Sequence, residues 1–190
     1  MSLLLDRVPI TVNIGGEEVS IHSDFRTAVL FEQMMFDDEF PDDMKAHNAL
    51  NLFYPTIPDD TDTAIDRLIW FYSCGRKNER KSKTSENHSR CYDFEYDDDY
   101  IFAAFMQQYG IDLEQTNDLH WWKFSAMFRA LPESCEIVKI MGYRTVKIDS
   151  KMSDSERRFY TKMKKIHALP MSRTDAEKLN EIENMLMQKR

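Results

Sequence analysis

The segment DFEYDDD, residues 93–99, places five acidic side chains close together: Asp93, Glu95, Asp97, Asp98 and Asp99. Carboxylates grouped in this way could hold a divalent metal ion, or two of them could act as general acid and general base. They could also begin a helix, because carboxylates are stabilised near the positive end of the helix dipole. Which role they have decides whether the chain is interpreted as an enzyme.

A calcium-binding loop is the sharpest of the metal hypotheses. Such a loop needs oxygen ligands at its first, third, fifth and twelfth positions and a glycine at the sixth. The acidic segment supplies the first three ligands, but Asp98 stands at the sixth position and Ala104 at the twelfth. The residues that would bend the loop and close it are therefore missing. We interpret the cluster as the start of a helix and predict no metal site.

The helix that follows the acidic cluster is apolar on most of its sides. We expect Asp97 or Asp98 to cap its start and Gly110 to end it in a left-handed conformation. Between them lies the run YIFAAFMQQY. A helix that is apolar all round is buried in a core or against partners.

No other pattern in the chain predicts catalysis or a cofactor. There is no glycine-rich phosphate loop between a strand and a helix, and no GxSxG motif. No two of the histidines have metal-ligand spacing; they are His22, His47, His88, His120 and His167. The cysteines form no CxxC pair, which is typical of reduced thiols in a cytosol; they are Cys74, Cys91 and Cys135. We predict a protein that is not an enzyme and needs no cofactor.

The first part of the chain, residues 1–75, predicts a β-hairpin packed on helices. The stretches ITVNI and VSI alternate apolar and polar residues on either side of Gly15-Gly16, a pair that favours a two-residue turn. Ser23 is the predicted N-cap of the next helix, DFRTAVLFEQMMF, and two more helices follow before Gly75. A hairpin alone is marginally stable in water, so we expect it to pack on these helices.

Residues 76–90, RKNERKSKTSENHSR, contain no large apolar side chain. Burial cannot offset the entropy cost of ordering such a segment, so we predict a flexible basic linker. Helical patterns resume after it, with capping boxes at Ser153 and Thr174. We therefore predict a mainly α fold in two parts: an N-terminal lobe, residues 1–75, with the hairpin, and a helical lobe, residues 91–190.

Two apolar helices of the second lobe supply our candidate partner-binding residues. Paired tryptophans are typical of a core, and an exposed aromatic binding face is the alternative. Methionines beside them could repack around varied partners. The candidates are Phe102, Met106, Trp121, Trp122, Met127 and Phe128.

A basic helix near the C-terminus leaves three interpretations open. Its basic residues are Arg157, Arg158, Lys162, Lys164 and Lys165. They could form the solvated side of a helix whose apolar side holds Phe159, Met163 and Ile166, which is the interpretation we favour. They could contact nucleic-acid phosphates. They could also bind an acidic protein surface, including the N-terminal lobe of another copy of the chain.

Charge is unevenly distributed along the chain, whose 190 residues carry a net charge of −8. Acidic residues are in excess in 1–75 and 91–131, and basic residues in 76–90 and 132–190. This alternation suits self-association or a protein partner of mixed charge better than nucleic acid, which needs concentrated positive charge. No stretch approaches the roughly 18 uncharged apolar residues of a membrane span. The start, MSLLLDRVPI, lacks the features of a signal peptide, so we expect a cytoplasmic protein that does not enter a membrane.

Three segments carry a family resemblance. Residues 92–131 read YDFEYDDDYIFAAFMQQYGIDLEQTNDLHWWKFSAMFRAL, residues 151–170 read KMSDSERRFYTKMKKIHALP, and residues 24–35 read DFRTAVLFEQMM. Together they resemble the gene-product-fifteen family, found in bacteriophages and prophages of Gram-positive hosts. The QQYGIDL and HWWKF runs are long enough to be specific.

The resemblance implies a role in building the phage tail. Genes of this family typically lie between those for the major tail protein and the tape-measure protein. Proteins encoded there are commonly tail-assembly chaperones, which coat the tape-measure chain and are absent from the finished virion. We therefore expect a chaperone of the tape-measure protein in the host bacterial cytoplasm. The alternatives are a tail or connector component retained in the virion, a nucleic-acid-binding regulator that uses the basic helix, and a metal-dependent enzyme at residues 93–99.

Overall fold

Helices make up most of the part of the chain that the computed structural model describes, residues 3–76 and 90–170. In chain order its elements are β1 (Thr11–Ile14), β2 (Glu17–Ser20), α1 (Phe25–Phe36), α2 (Asp42–Phe53), α3 (Thr61–Tyr72), α4 (Asp98–Tyr109), α5 (Trp121–Arg129), α6 (Glu136–Thr145) and α7 (Asp154–Ile166). The order confirms the predicted mainly α fold with a short N-terminal hairpin.

The hairpin forms around the predicted glycine pair. β1 and β2 are antiparallel, with Val12 opposite Val19. Gly15 and Gly16 have φ values of 61° and 94°, which any side chain with a Cβ would adopt only under strain. Val12 and Ile14 are buried, so the hairpin packs on the helices through the face that its alternating pattern predicts.

Most helix ends follow the sequence signals, and one is shifted. Gly110 ends α4 with a φ of 63°, and Ser153 opens α7 through a capping box. The prediction that Ser23 caps α1 was wrong. Asp24 caps it instead, because its carboxylate accepts a hydrogen bond from the backbone N–H of Arg26 at 2.9 Å.

One hydrophobic cluster contains residues from both sides of 77–89. Phe25 of α1 stacks on Phe124 of α5 with ring centroids 4.7 Å apart. Trp122 of α5 packs against Phe71 of α3, and its indole N–H donates to the Phe71 carbonyl at 2.7 Å. The sequence places two lobes here, whereas the described residues share a core. The reason is that α5 supplies the apolar surface on which α1 and α3 pack.

The last residue of the predicted linker, Arg90, lies within the described residues. Residues 77–89 lie outside the described residues, so flexibility there stays a prediction. Arg90 belongs to the packed structure: its guanidinium lies over the Phe36 ring, 4.4 Å from the centroid, and it forms an ion pair with Asp93. The pattern of polar residues alone could not show this, because an arginine can pack through its stem and its flat face.

The acidic segment is a structural junction. Asp97 stands at the N-cap position of α4, as predicted, but its side chain makes no capping hydrogen bond. Its buried carboxylate instead accepts two hydrogen bonds from Arg144 of α6, at 2.6 and 2.8 Å. The Arg144 guanidinium also donates to the carbonyls of Cys91 and His167, at 3.0 and 2.6 Å. This single side chain therefore ties together the start of α4, the end of α7 and the segment at Cys91 that precedes α4.

Candidate partner-binding site

An apolar cavity of about 450 Å³ lies between the end of α3, residues 92–94, α5 and α6. Its walls include the half-buried side chains of Phe128 and Met141, and the exposed Arg129 stands at its edge. The cavity therefore opens to solvent on the Arg129 side. Its volume lies within the range typical of ligand-binding pockets, about 300–1,000 Å³.

Aromatic rings form one side of the cavity. Trp121 stacks on Tyr72 with centroids 5.5 Å apart, and its indole N–H donates to the Tyr72 carbonyl at 2.8 Å. Phe124 lies beside Trp121 at 5.8 Å and beside Phe128 at 6.2 Å, all close to parallel. These rings are fixed by their stacking and by α5, so this wall is formed before any partner binds.

The opposite side combines rings with aliphatic side chains. Tyr92 meets Phe128 edge to face at 5.1 Å and Phe94 at 5.2 Å. Val138 and Met141 of α6 complete the wall. A methionine has an unbranched, polarizable side chain, so Met141 can adjust to the shape of an inserted group.

Glu32 of α1 fixes the two tyrosines of the cavity, Tyr72 and Tyr92, by hydrogen bonds. Its buried carboxylate accepts hydrogen bonds from the hydroxyls of Tyr72 and Tyr92, the second at 3.5 Å. Burial raises the pKa of Glu32 above its ordinary value, and the two hydroxyls act against that rise. The tyrosine hydroxyls thus point at an acceptor in the core, and their rings line the cavity.

His120 sets the start of the helix that carries the aromatic wall. Its Nδ1 accepts the backbone N–H of Trp122 at 3.0 Å, and its Nε2 donates to the carbonyl of Pro9 at 2.9 Å. The contact with Trp122 requires the neutral ring, because a protonated Nδ1 has no lone pair to accept the N–H, whereas the donation to Pro9 is made by either form of the ring. Burial lowers the pKa of His120, because the charged ring would lose water. The sequence predicts only an ordinary helix residue at this position, and the capping role is a finding of the structure.

We expect the stability of the protein to fall as the pH drops below about 6.5 through the protonation of His120. Its pKa is lower in the folded chain than in the unfolded chain, so the unfolded state binds the extra proton first. The stability contributed by the neutral ring is complete above the unfolded pKa and decreases below it. The measurement is the free energy of unfolding in urea at several pH values.

His120→Asn is the matched control for this prediction, because asparagine also caps helices but does not titrate in this range. The difference in stability between the natural chain and this variant should change with pH. A constant difference between pH 7 and pH 5 would contradict the prediction.

The structure separates the predicted partner-binding residues into three groups. Trp121 and Phe128 line the cavity together. Trp122 is buried on the other side of α5, against Trp70 at 5.4 Å, so it belongs to the core. Met127 is half-buried and packs against the core cluster.

Phe102 and Met106 lie elsewhere, on the solvent side of α4. They are four residues apart, so they share one helix face, and their exposed fractions are 38% and 40%. The sequence interpretation allowed burial in the core or against partners, and this face of α4 is not in the core of the described residues. The basic residues lie on α7 and none of them lines the cavity; they are Arg157, Arg158, Lys162, Lys164 and Lys165.

Most of the cavity residues were not predicted as site residues, and they include Tyr72, Cys74, Tyr92, Phe94, Val138 and Met141. Their apolar and aromatic types are visible in the sequence, but they come from three separate segments. Only the packing of those segments around α5 shows that they face one space. The sequence signal that did find the cavity was the aromatic spacing of α5.

The arrangement can bind an apolar side chain or a short apolar stretch of a partner. The walls offer rings and methyl groups, and the polar groups near the edge are the hydroxyl of Ser125 and the guanidinium of Arg129. Within residues 3–76 and 90–170, no three His, Cys, Asp or Glu side chains are placed to hold a metal ion. In the same ranges, no helix combines the length and the apolar character needed to cross a membrane.

Comparison with known proteins identifies one family. The model of the family described as Bacteriophage Gp15 protein matches residues 4–169, which is most of the chain. Neither the curated proteins nor the solved structures contain a match. The match runs from before the hairpin to the end of α7, so it covers both the cavity and the Asp97–Arg144 junction. The chain belongs to the bacteriophage Gp15 protein family.

Proposed function

We propose that this phage protein is a tail-assembly chaperone that binds the tape-measure protein before the tail tube forms. Two considerations support the proposal. The chain belongs to a phage protein family, and the resemblance discussed above associates that family with the tail-morphogenesis genes. The chain also carries an apolar cavity that opens at its surface. The proposed action is binding alone, without a chemical step.

The physical basis of the proposal is the helix-in-groove mode of recognition. A tape-measure chain is long and largely helical, so apolar side chains recur along one face of it and promote aggregation. An amphipathic helix lying on the protein could insert one such side chain into the cavity. Insertion removes apolar surface from water, at roughly 25 cal/mol per Å² of buried area. Repeated weak contacts of this kind would keep the long chain soluble.

The observation that carries the proposal is the position of Trp121 and Phe128. Their rings line a cavity that residues 3–76 and 90–170 leave unfilled, and Arg129 stands at its edge. Rigid aromatic rings around an open pocket are the usual centre of a binding surface.

The test is co-expression of the full chain with the tape-measure protein of its phage. The natural chain should increase the soluble fraction of the tape-measure protein and be recovered with it. Ser125→Trp would place an indole in the cavity from α5, and we expect this variant to lose most of that effect. Ser125→Ala is the matched control, because it changes the same position but leaves the cavity open.

Val138→Phe repeats the filling from α6, in case Ser125→Trp does not fold. A tape-measure protein that stays insoluble with the natural chain would overturn the proposed function. Equal binding by Ser125→Trp, Val138→Phe and Ser125→Ala would show that binding uses another surface. Mass spectrometry of purified virions completes the test, because a chaperone should be absent and a retained tail component should be detected.

A further inference from the structure

Basic side chains and partly exposed apolar side chains lie next to each other on α7. No residue of α7 is buried, and Tyr143 of α6 holds the helix through ring contacts with Phe159 at 6.0 Å and His167 at 5.8 Å. Phe159 and Ile166 remain 48% and 58% exposed. They are seven residues apart, so they share a helix face. The apolar side that the sequence predicts for this helix is therefore partly open to solvent.

Three basic side chains border these two apolar residues. Arg158, Lys162 and Lys165 are exposed and spaced at i, i+4 and i+7, which places them in a row next to Phe159 and Ile166. We name this combination of an apolar pair and a basic row the basic edge. A surface with this composition fits an apolar patch surrounded by carboxylates.

The same chain presents such a patch at the junction of α1 and α2. Residues 35–44 contain no basic residue, although Lys45 pairs with Asp42 at 2.8 Å and the Arg90 guanidinium lies over the Phe36 ring, 4.4 Å from its centroid. The exposed side chains of residues 35–44 are mainly of two kinds. The apolar ones are Met35, Phe36 and Met44, with exposed fractions of 43%, 49% and 50%. The acidic ones are Asp37, Asp38, Glu39, Asp42 and Asp43. We name residues 35–44 the acidic surface.

We infer that the acidic surface of one copy binds the basic edge of a second copy. The two surfaces match in charge, and each exposes large apolar side chains that a contact would remove from water. A second copy is the occupant that the structure itself supplies, because both complementary surfaces lie on one chain. The inference does not use the cavity, so it can fail or hold independently of the proposed function.

A contact of this kind joins two different surfaces, so it is heterologous. Each added copy leaves one acidic surface and one basic edge free, and the contact can repeat. The array is therefore open unless the rotation between copies closes it into a ring. An open array would allow many copies to follow a long partner chain.

The test uses two full-length double variants that reverse charges on one surface each. Glu39→Lys/Asp43→Lys makes the acidic surface basic, and Lys162→Glu/Lys165→Glu makes the basic edge acidic. We expect each variant alone to raise the dissociation constant of self-association by about tenfold or more, because like charges then face each other. Sedimentation velocity at low ionic strength measures this, and higher ionic strength should weaken association of the natural chain.

Mixing the two variants should restore association. The reversed acidic surface of one then meets the reversed basic edge of the other, and their unreversed surfaces also match. Glu114→Lys/Glu133→Lys is the control, since it changes the net charge by the same amount at exposed positions outside both surfaces. Circular dichroism of each variant checks that it is folded.

Four results would overturn the inference. The first is a natural chain that stays monomeric at every concentration and ionic strength tested. The second is a mixture that associates no better than either variant, and the third is a control that weakens association equally. The fourth is loss of tape-measure binding without loss of self-association in Lys162→Glu/Lys165→Glu, which would assign the basic edge to the tape-measure protein.

Discussion

Replacing Arg144 by alanine is expected to lower the free energy of unfolding by about 3–5 kcal/mol. The Arg144 side chain is 9% exposed and the Asp97 side chain 1%, so the variant leaves a buried carboxylate without its ion-pair partner. The carbonyls of Cys91 and His167 lose a donor in the same change. The measurement is equilibrium unfolding in urea, followed by tryptophan fluorescence.

Arg157→Ala is the control for this prediction. Arg157 also pairs with an aspartate, Asp154, but the side chains of that pair are 41% and 79% exposed. Surface pairs of this kind contribute little, typically below about 1 kcal/mol. If Arg144→Ala cost no more than Arg157→Ala, the Asp97–Arg144 pair would not be the junction described above.

A double variant separates the two parts of the effect. Asp97→Asn with Arg144→Met removes both charges, so no buried charge is left unpaired. Its cost should be well below the sum of the two single variants, because residues in direct contact are not additive. A fully additive double variant would indicate that each side chain acts through separate contacts.

Replacing Phe124 by alanine is the second change with a large expected effect, a loss of about 3–5 kcal/mol. Phe124 is 1% exposed and stacks on Phe25 and Phe105, each with centroids 4.7 Å apart. It therefore joins α1, α4 and α5 in one column of rings. Alanine would remove those contacts and leave a cavity that fixed neighbours cannot fill.

Phe128→Ala is the matched control, because Phe128 belongs to the same helix and the same aromatic wall but is only half-buried. Its loss should be clearly smaller. Thermal unfolding of the two variants, with the urea experiment alongside, gives the comparison. Equal losses would mean that the column of rings does not depend on its central member.

Local features of the fold could be predicted from the sequence because local chemistry decides them. Gly15-Gly16 accepts the positive φ values of a tight turn, Gly110 ends α4, and the Ser153 capping box starts α7. Each signal lies within a few residues of the structure that it determines. The N-cap of α1 is Asp24 and not Ser23, so the predicted start of this helix was wrong by one residue.

Long-range features could not be predicted because nothing in the local pattern reports them. The position of Asp97 in the sequence indicates an acidic residue at the start of a helix. Its ion-pair partner, Arg144, lies 47 residues further along the chain. For the same reason, the predicted division into two lobes does not indicate the hydrophobic cluster that the described residues of both parts share. A polar stretch resembles a domain boundary whether or not the segments on either side pack together.

The candidate site was partly predictable. Aromatic spacing on one helix indicated Trp121 and Phe128, and both line the cavity. The same pattern also selected Trp122, which faces the core instead. A helix that is buried on two sides has aromatic residues on both, so the sequence alone could not show which ring lines the cavity.

Because the segments on both sides of residues 77–89 share one core, cleavage of the backbone between them would change how that core is held together. Phe25 and Phe71 come from one side of residues 77–89, and Phe124 and Trp122 from the other, yet their rings pack together. Hydrolysing one peptide bond within 77–89 would turn this internal contact into a bimolecular one. The two fragments would then form a pair whose survival depends on their own dilution, much as two subunits of an obligate heterodimer do.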